Sequence, residues 1–138
     1  MNTQHYHIPR LLTIQLLHLA QLSPEQEICG LIGAQNGNPK HCYPISNIAE
    51  HTHHQFLLDP AQQLNAMKTM REQGEELFAI YHSHPTAPAT PSTDDITMNA
   101  YPNALYLIIS LNTKGILEMR GFKLHTEQYT EVELTLDN

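Results

Sequence analysis

Residues 79–95 read AIYHSHPTAPATPSTDD and place two imidazoles, a hydroxyl and a carboxylate close together: His82, His84, Ser92 and Asp95. Two histidines at i and i+2 on a strand project from one face, because strand side chains alternate with period two. His82 and His84 can therefore hold one metal ion between them. His-x-His alone carries little weight in this chain. Ten histidines among 138 residues give about 0.7 such pairs by chance, and three occur: His5/His7, His51/His53 and His82/His84. The first pair lies near the terminus and the second in a polar loop, with no acidic residue at a comparable offset, and both read as solvated.

The third pair is set apart by its downstream neighbours. Ser92 and Asp95 form Ser-x-x-Asp, the pattern of a helix N-cap with an acid at the third helical position. A capped start fixes the first turn, from which Asp95 projects. The proline-rich stretch 85–91 is short and stiff enough to fold that turn back over the strand end. Two imidazoles and one carboxylate then converge and leave a fourth position open. Such a donor set is that of catalytic zinc, whereas structural zinc is closed and usually thiolate-rich. One Zn2+ per chain is the expected cofactor, and an ion so held lowers the pKa of its water toward about 7.

A hydrolase of this kind needs a carboxylate to take the water's proton and pass it to the leaving amine. Glu27 stands first among the candidates because it opens the apolar stretch EICGLIG. Glu25 and Glu50 read as loop residues, and Glu75 and Glu76 as a solvated turn between a helix and a strand. The pattern alone does not single out Glu27.

These groups need a framework. After a short extended start, RLLTIQLLHLAQL (10–22) has apolar residues at helical spacing, with Pro9 where a first turn tolerates it. Residues 27–35 read as a buried strand and NGNPK (36–40) as a turn, so 41–49 is the expected hairpin partner. A polar loop (50–55) and a short strand (56–58) come next. Asp59 and Pro60 form an N-cap and first-turn pair for a helix that stops at Gly74. ELFAIYHSH (76–84) is a core strand, 92–100 a short helix, and 104–112, 115–124 and 129–136 are strands. Interleaved strands and helices predict an α/β or α+β domain with a mixed sheet. No repeat or linker divides the chain, so residues 1–138 are expected to form one domain.

Composition narrows the function. The chain is 41% apolar and 15% charged, with no run near 18 apolar residues, so no transmembrane helix is expected. The start, MNTQHYHIPR, lacks a basic segment followed by an apolar one, and the cytoplasm is the expected location. A formal net charge of −7 with 7 Lys+Arg and no cationic cluster argues against nucleic-acid binding. Cys29 and Cys42 read as free thiols. Without a Cys-x-x-Cys there is no zinc ribbon or redox dithiol. Cys29 shares a face with Glu27 and is expected to be a small core thiol. Tyr81 and Ser83 are expected to pack on the face opposite the histidines, and His51, His53 and His54 are candidates for adventitious metal.

His82-Ser83-His84-Pro85 followed by Ser92 and Asp95 resembles the His-x-His-x7-Ser-x2-Asp signature of the JAMM, or MPN+ (JAB-domain), zinc metallopeptidases. PEQEICGLIG (24–33) is similar to the segment with which small prokaryotic members present their catalytic glutamate. The resemblance extends to IPR before the first helix and FLLDP before the second, and it covers nearly the whole chain. It implies a curved mixed sheet flanked by helices, like that of the cytidine deaminases. It also implies that His82, His84 and Asp95 bind zinc, that Glu27 holds and deprotonates the water, and that Ser92 stabilises the oxyanion.

Members of the family cut peptide or isopeptide bonds at the C-terminal tails of ubiquitin-like proteins. The chain is compact, with seven residues between His84 and Ser92, and resembles bacterial members linked to sulfur carriers. The implied partner is such a carrier with a Gly-Gly tail, which can add to a sheet edge as an extra strand. A catalytically silent MPN scaffold and a zinc peptidase acting on short peptides are the alternatives. An unmatched edge strand would also support a homodimer.

Overall fold

The computed structural model describes residues 4–97, 101, 104–111 and 118–136. In chain order the elements are β1 (His5–Ile8), α1 (Arg10–Leu22), β2 (Cys29–Gln35), β3 (Asn38–Ile45), α2 (Pro60–Glu72), β4 (Glu76–His84), α3 (Thr93–Thr97), β5 (Leu105–Ser110), β6 (Glu118–Leu124) and β7 (Tyr129–Leu136). The strands make one curved, mixed sheet in the order β1-β7-β6-β5-β4-β2-β3. β4 runs parallel to β5 and antiparallel to β2. The expected α+β architecture is the one formed. No helix among the described residues is long and apolar enough to cross a membrane.

β4 and β5 lie inside the sheet because their sequences are apolar on both faces; from Ala79 to His84 and from Leu105 to Ser110 every residue is buried. One face carries α1, whose Leu12, Leu16 and Ala20 recur at helical spacing and pack on Ile32, Ala79, Tyr81, Leu107 and Ile109. The other face carries α2, whose Ala66 and Met70 cover Leu31, Ile80, Tyr106 and Ile108. Alternation along β4 then settles which residues share a side. Ala79, Tyr81 and Ser83 face α1, while Ile80, His82 and His84 face α2.

Local signals are honoured at both ends of α2. Asp59 accepts a 3.0 Å hydrogen bond from the Ala61 amide, with Pro60 in the first turn. At the other end Gly74 takes the left-handed conformation at φ 72°. Its amide donates to the Arg71 carbonyl at 3.2 Å and the Glu75 amide to Met70 at 2.7 Å. These are the paired bonds of a Schellman ending. The same turn carries Glu75 inward, against its expectation as a solvated residue: it is buried, accepting from Tyr43 Oη at 2.8 Å and pairing with His41 Nδ1.

Several boundaries differ from expectation. β2 begins at Cys29, so Glu27 precedes the strand instead of opening it. Asn36 and Gly37 alone form the hairpin turn, both with positive φ (53° and 81°), the two-residue geometry that matches strand twist. β3 consequently starts at Asn38 and ends at Ile45, earlier than the predicted 41–49. Residues 56–58 contribute an isolated bridge, Leu58 to Asn47, in place of a strand. The expected continuation of α3 to 100, and of strands to 112 and back to 115, falls outside the described residues.

Gly30 is where the fold tolerates no side chain. A Cβ there would lie 2.5 Å from the Tyr43 carbonyl oxygen and closer still to the Tyr81 hydroxyl, and Tyr81 is fully buried. Gly30→Ala is expected to lower stability by about 2 kcal/mol or more through overpacking. Urea unfolding checks this; a midpoint equal to that of wild type would mean that the two tyrosines yield freely.

Candidate metal centre

The C-terminal end of β4 delivers the two histidines. His82 Nε2 lies 3.1 Å from His84 Nε2, and each lies 3.1 Å from Asp95 Oδ2. The three atoms form an equilateral triangle. Glu27 completes the group, with one ligand atom from each of the four residues within 4.8 Å of the others. All four residues are buried. Among the described residues no other set of three or more such groups converges in this way. His51, His53 and His54 pack ring on ring in their turn, with centroids 4.2–6.3 Å apart, without forming one.

Asp95 is brought in by the expected cap. Its amide donates to Ser92 Oγ at 3.0 Å, and the Ser92 amide donates back to Asp95 Oδ2 at 2.9 Å. This is a reciprocal capping box with Asp in place of the usual Glu. The stretch between β4 and α3 is pinned over the strand ends as well. Ser110 Oγ donates to the Ala87 carbonyl at 2.8 Å, and His84 Nδ1 donates to the Pro88 carbonyl at 2.7 Å. In the neutral ring that last bond fixes the His84 tautomer and leaves Nε2 bare toward the centre. His82 is oriented differently: Phe56 stacks on its ring at 4.2 Å and 19°, and its Nδ1 has no hydrogen-bond partner among the described residues.

Glu27 comes from the segment just before β2. Its amide donates to the Thr52 carbonyl at 2.7 Å, its carbonyl accepts from Asn47 Nδ2 at 2.9 Å, and the next amide, that of Ile28, donates to Ser83 Oγ at 2.9 Å. Spacing predicts packing alone for Ser83; its hydroxyl in addition ties the glutamate's segment to the histidine strand. Cys29 is the expected core thiol, 2% exposed and directed at the Ile45 carbonyl. Burial and the nearby Glu27 push its pKa up to about 12, so it is no thiolate. Phe56 and Asn47 carry no mark in the sequence beyond their nearness to FLLDP and the polar loop.

The charges are strongly biased. Burial raises the Glu27 carboxyl to about 8, with the Asp95 and Asp94 charges adding to burial and His84 opposing it. Asp95 goes the other way: burial raises it, but His82 beside it and hydrogen bonds from both imidazoles and the Ser92 amide hold it well below the carboxylate range. Burial lowers His82 despite Asp95. Burial lowers His84 too, but hydrogen bonds to Asp95 and Pro88 and the two carboxylate charges raise it overall. When His84 is neutral, with Nδ1–H committed to Pro88, its bare Nε2 faces an anionic oxygen and a second imidazole. A positive charge is what that triangle needs. Its 3.1 Å sides are close to the edge of about 3.3 Å expected for tetrahedral ligands at about 2.0–2.1 Å from zinc. The donor set and its spacing thus fit a divalent ion.

Residues 9–122 match the family model for prokaryotic homologs of the JAB domain. The chain belongs to the prokaryotic JAB-domain family. A CysO-cysteine peptidase of Mycobacterium tuberculosis is 28% identical over 123 residues, 88% of this chain and 83% of the relative. A probable TtuB-protein conjugate cleaving protease of Thermus thermophilus is 35% identical over 91 residues, 65% of this chain and 60% of that protein. A protein of Desulfitobacterium hafniense, known from its solution structure, superposes with a TM-score of 0.86 at 29% identity, covering 96% of this chain and 93% of its own. The JAB fold therefore spans the segments that carry Glu27, His82, His84, Ser92 and Asp95.

The raised Glu27 pKa has a sign that can be tested on metal-free protein. Its folded value, about 8, exceeds the ordinary 4.5. The neutral carboxyl therefore favours folding most below pH 4.5, and that advantage is lost as pH rises through 8. Metal-free wild type is expected to lose a few kcal/mol more stability between pH 5 and 8.5 than Glu27→Gln does. Parallel pH–stability curves for the two proteins would show that Glu27 titrates normally in the folded state.

Proposed function

We propose that this JAB-domain protein is a zinc-dependent metallopeptidase that hydrolyses a peptide or isopeptide bond at the C-terminal tail of a ubiquitin-like sulfur carrier. The observation carrying this reading is the triangle of His82 Nε2, His84 Nε2 and Asp95 Oδ2 with the buried Glu27 carboxyl beside it. Two relatives whose names describe cleavage of CysO-cysteine and of TtuB–protein conjugates support both the reaction and the partner class. The intact ligand set speaks against a silent scaffold.

In this reading His82, His84 and Asp95 hold one zinc ion. When bound, zinc would act as a Lewis acid that lowers the pKa of its water toward about 7 and polarises a carbonyl. Glu27 receives the proton of the attacking water and delivers it to the departing amine; a carboxyl whose burial favours the protonated form is suited to that second task. Ser92 Oγ accepts the Asp95 amide, so its own hydrogen is free to donate to the developing oxyanion. A groove of about 500 Å³ reaches Glu27 between the end of α1 (Leu19, Leu22) and the end of β3 (Pro44, Ile45). β3 is an outer strand of the sheet, so an extended tail entering there can add to its edge, and a glycine pair fits where side chains do not. We place the protein in the cytoplasm, where reducing conditions suit its two free cysteines.

Elemental analysis after mild dialysis is expected to find about one zinc per chain in wild type and none in His84→Ala or Asp95→Ala. Equal zinc in wild type and His84→Ala would remove the ligand assignment. Glu27→Gln is expected to keep its zinc and lose kcat by about 100-fold or more on a Gly-Gly-ended carrier bearing an amide-linked residue; an unchanged rate would displace Glu27 as the base. Ser92→Ala is expected to lose about 1 kcal/mol of stability with its cap as well as turnover, and Ser92→Thr to keep the cap. Rapid cleavage of free dipeptides, with the carrier left intact, would favour the short-peptide alternative.

A further inference from the structure

Glu27 lies outside the β-ladder, which begins two residues later at Cys29, so its backbone is held by other means. On one side Ile28 exchanges hydrogen bonds with Ser83: its amide donates to Oγ at 2.9 Å, and its carbonyl accepts from the Ser83 amide at 3.0 Å. The other side depends on residues 46–57, and within them on one side-chain amide. Asn47 Nδ2 donates to the Glu27 carbonyl and to the Gln55 carbonyl, both at 2.9 Å. Its Oδ1 accepts from the Ala49 and Leu57 amides, both at 3.0 Å. Two donors and two acceptor sites are the full capacity of an asparagine amide, and all four are used on backbone groups. The Gln55 carbonyl it holds belongs to the residue before Phe56, whose ring stacks on His82. The Glu27 amide in turn donates to the Thr52 carbonyl of the same loop at 2.7 Å.

We propose that Asn47 is a positioning residue for Glu27: its amide sets the distance between the glutamate's segment and the histidine strand by gripping Glu27 and the Gln55–Phe56 step together. Asn47 touches neither substrate nor metal ligand and acts through the backbone of the base. The inference rests on the peptidase reading for its catalytic consequence and on geometry alone for its structural one. A base displaced by a fraction of an ångström loses rate far out of proportion to any loss of folding energy.

Asn47→Asp separates the two halves of this amide. It keeps both acceptors, sparing the loop's own bonds to Ala49 and Leu57, and removes both donors, freeing the Glu27 and Gln55 carbonyls. Asn47→Ser serves as a second variant that adds no charge. The first measurement needs no activity: amide hydrogen exchange on metal-free protein, comparing wild type with each variant. Exchange at the Glu27 amide is expected to speed up about tenfold or more, while amides within β4 and β5 keep their wild-type rates. The second uses zinc-loaded enzyme on the carrier substrate. The variants are expected to hold one zinc and keep KM while kcat falls about 10- to 100-fold. Placed on Glu27→Gln, Asn47→Asp is expected to cause no further loss of the residual rate, since a residue acting through Glu27 has nothing left to position.

Unchanged protection at Glu27 would overturn the proposal, as would equal loosening of β4. So would a rate loss on the Glu27→Gln background as large as that on wild type. Absence of metal-dependent cleavage in the wild-type protein would instead remove the peptidase reading, and the exchange result would then decide the positioning by itself.

Discussion

A single buried oxygen, Asp95 Oδ2, is the point on which this molecule is built. It accepts from the Ser92 amide at 2.9 Å and faces both histidine Nε2 atoms at 3.1 Å. An ionised carboxylate in the interior is tolerated only when its oxygens are fully partnered, and this one is reached from α3 and β4 at once. The need to satisfy it dictates much around it. The helix must start with a residue that presents its amide to Oδ2, the chain from 85 to 91 must be tied down, and β4 must end where its last two even-numbered side chains meet the carboxylate. The capping box and the ligand set are therefore one structure. A cation placed at the triangle satisfies the same oxygen more fully than two neutral imidazoles, so metal affinity and local folding draw on one set of contacts.

Glu27 is the counterpart. In the metal-free protein two carboxyl groups within one small cluster are driven to opposite states by their surroundings: Asp95 is kept ionised by the two histidines and the Ser92 amide, and burial raises Glu27 to about 8, with Oε1 unpartnered among the described residues. Pairs of acids pushed apart in this way divide the work of an active site. In the peptidase reading the charged one binds the metal, and Glu27, whose carboxylate form the charge of a bound cation would favour, accepts the water's proton and gives it back. Their placement reflects it, because Asp95 sits on a capped helix turn whereas Glu27 sits on irregular backbone held by two neighbouring segments.

That difference decides how much of the site is legible in the amino-acid sequence. His82, His84, Ser92 and Asp95 lie close together along the chain, and the rules that place them are local: strand alternation, a cap, a stiff proline-rich connection. The same holds for the Asp59–Pro60 start of α2, its Gly74 stop and the hairpin turn at Asn36–Gly37. Glu27 is placed by contacts to Asn47, Thr52 and, through Ile28, Ser83, and no periodicity encodes partners so far away in the chain. Its role comes from family resemblance, and the strand it is expected to open begins two residues later. Glu75 departs from expectation for a related reason. A charged residue after a helix stop usually faces water, but the two Schellman bonds turn this one under the β2–β3 hairpin, where Tyr43 and His41 compensate it. Asn47 carries no local signature at all, because an asparagine that bridges backbone groups in separate segments looks in sequence like any loop asparagine.

The division also separates two properties that the peptidase reading joins. The proposed ligands depend mainly on short-range bonds within β4, the 85–91 connection and α3, whereas the proposed base depends on long-range bonds between the Glu27 segment, residues 46–57 and Ser83. Local openings in a folded protein follow such boundaries, since segments held by few hydrogen bonds and little apolar contact open at lower cost than the sheet they rest on. The Glu27 segment can loosen while the triangle of His82, His84 and Asp95 stays formed, because none of the bonds that build the triangle involves it. Among the described residues the Glu27 backbone is braced by bonds to Asn47, Thr52 and, through Ile28, Ser83, so in the peptidase reading the placement of the base is set by those segments rather than by the metal ligands themselves.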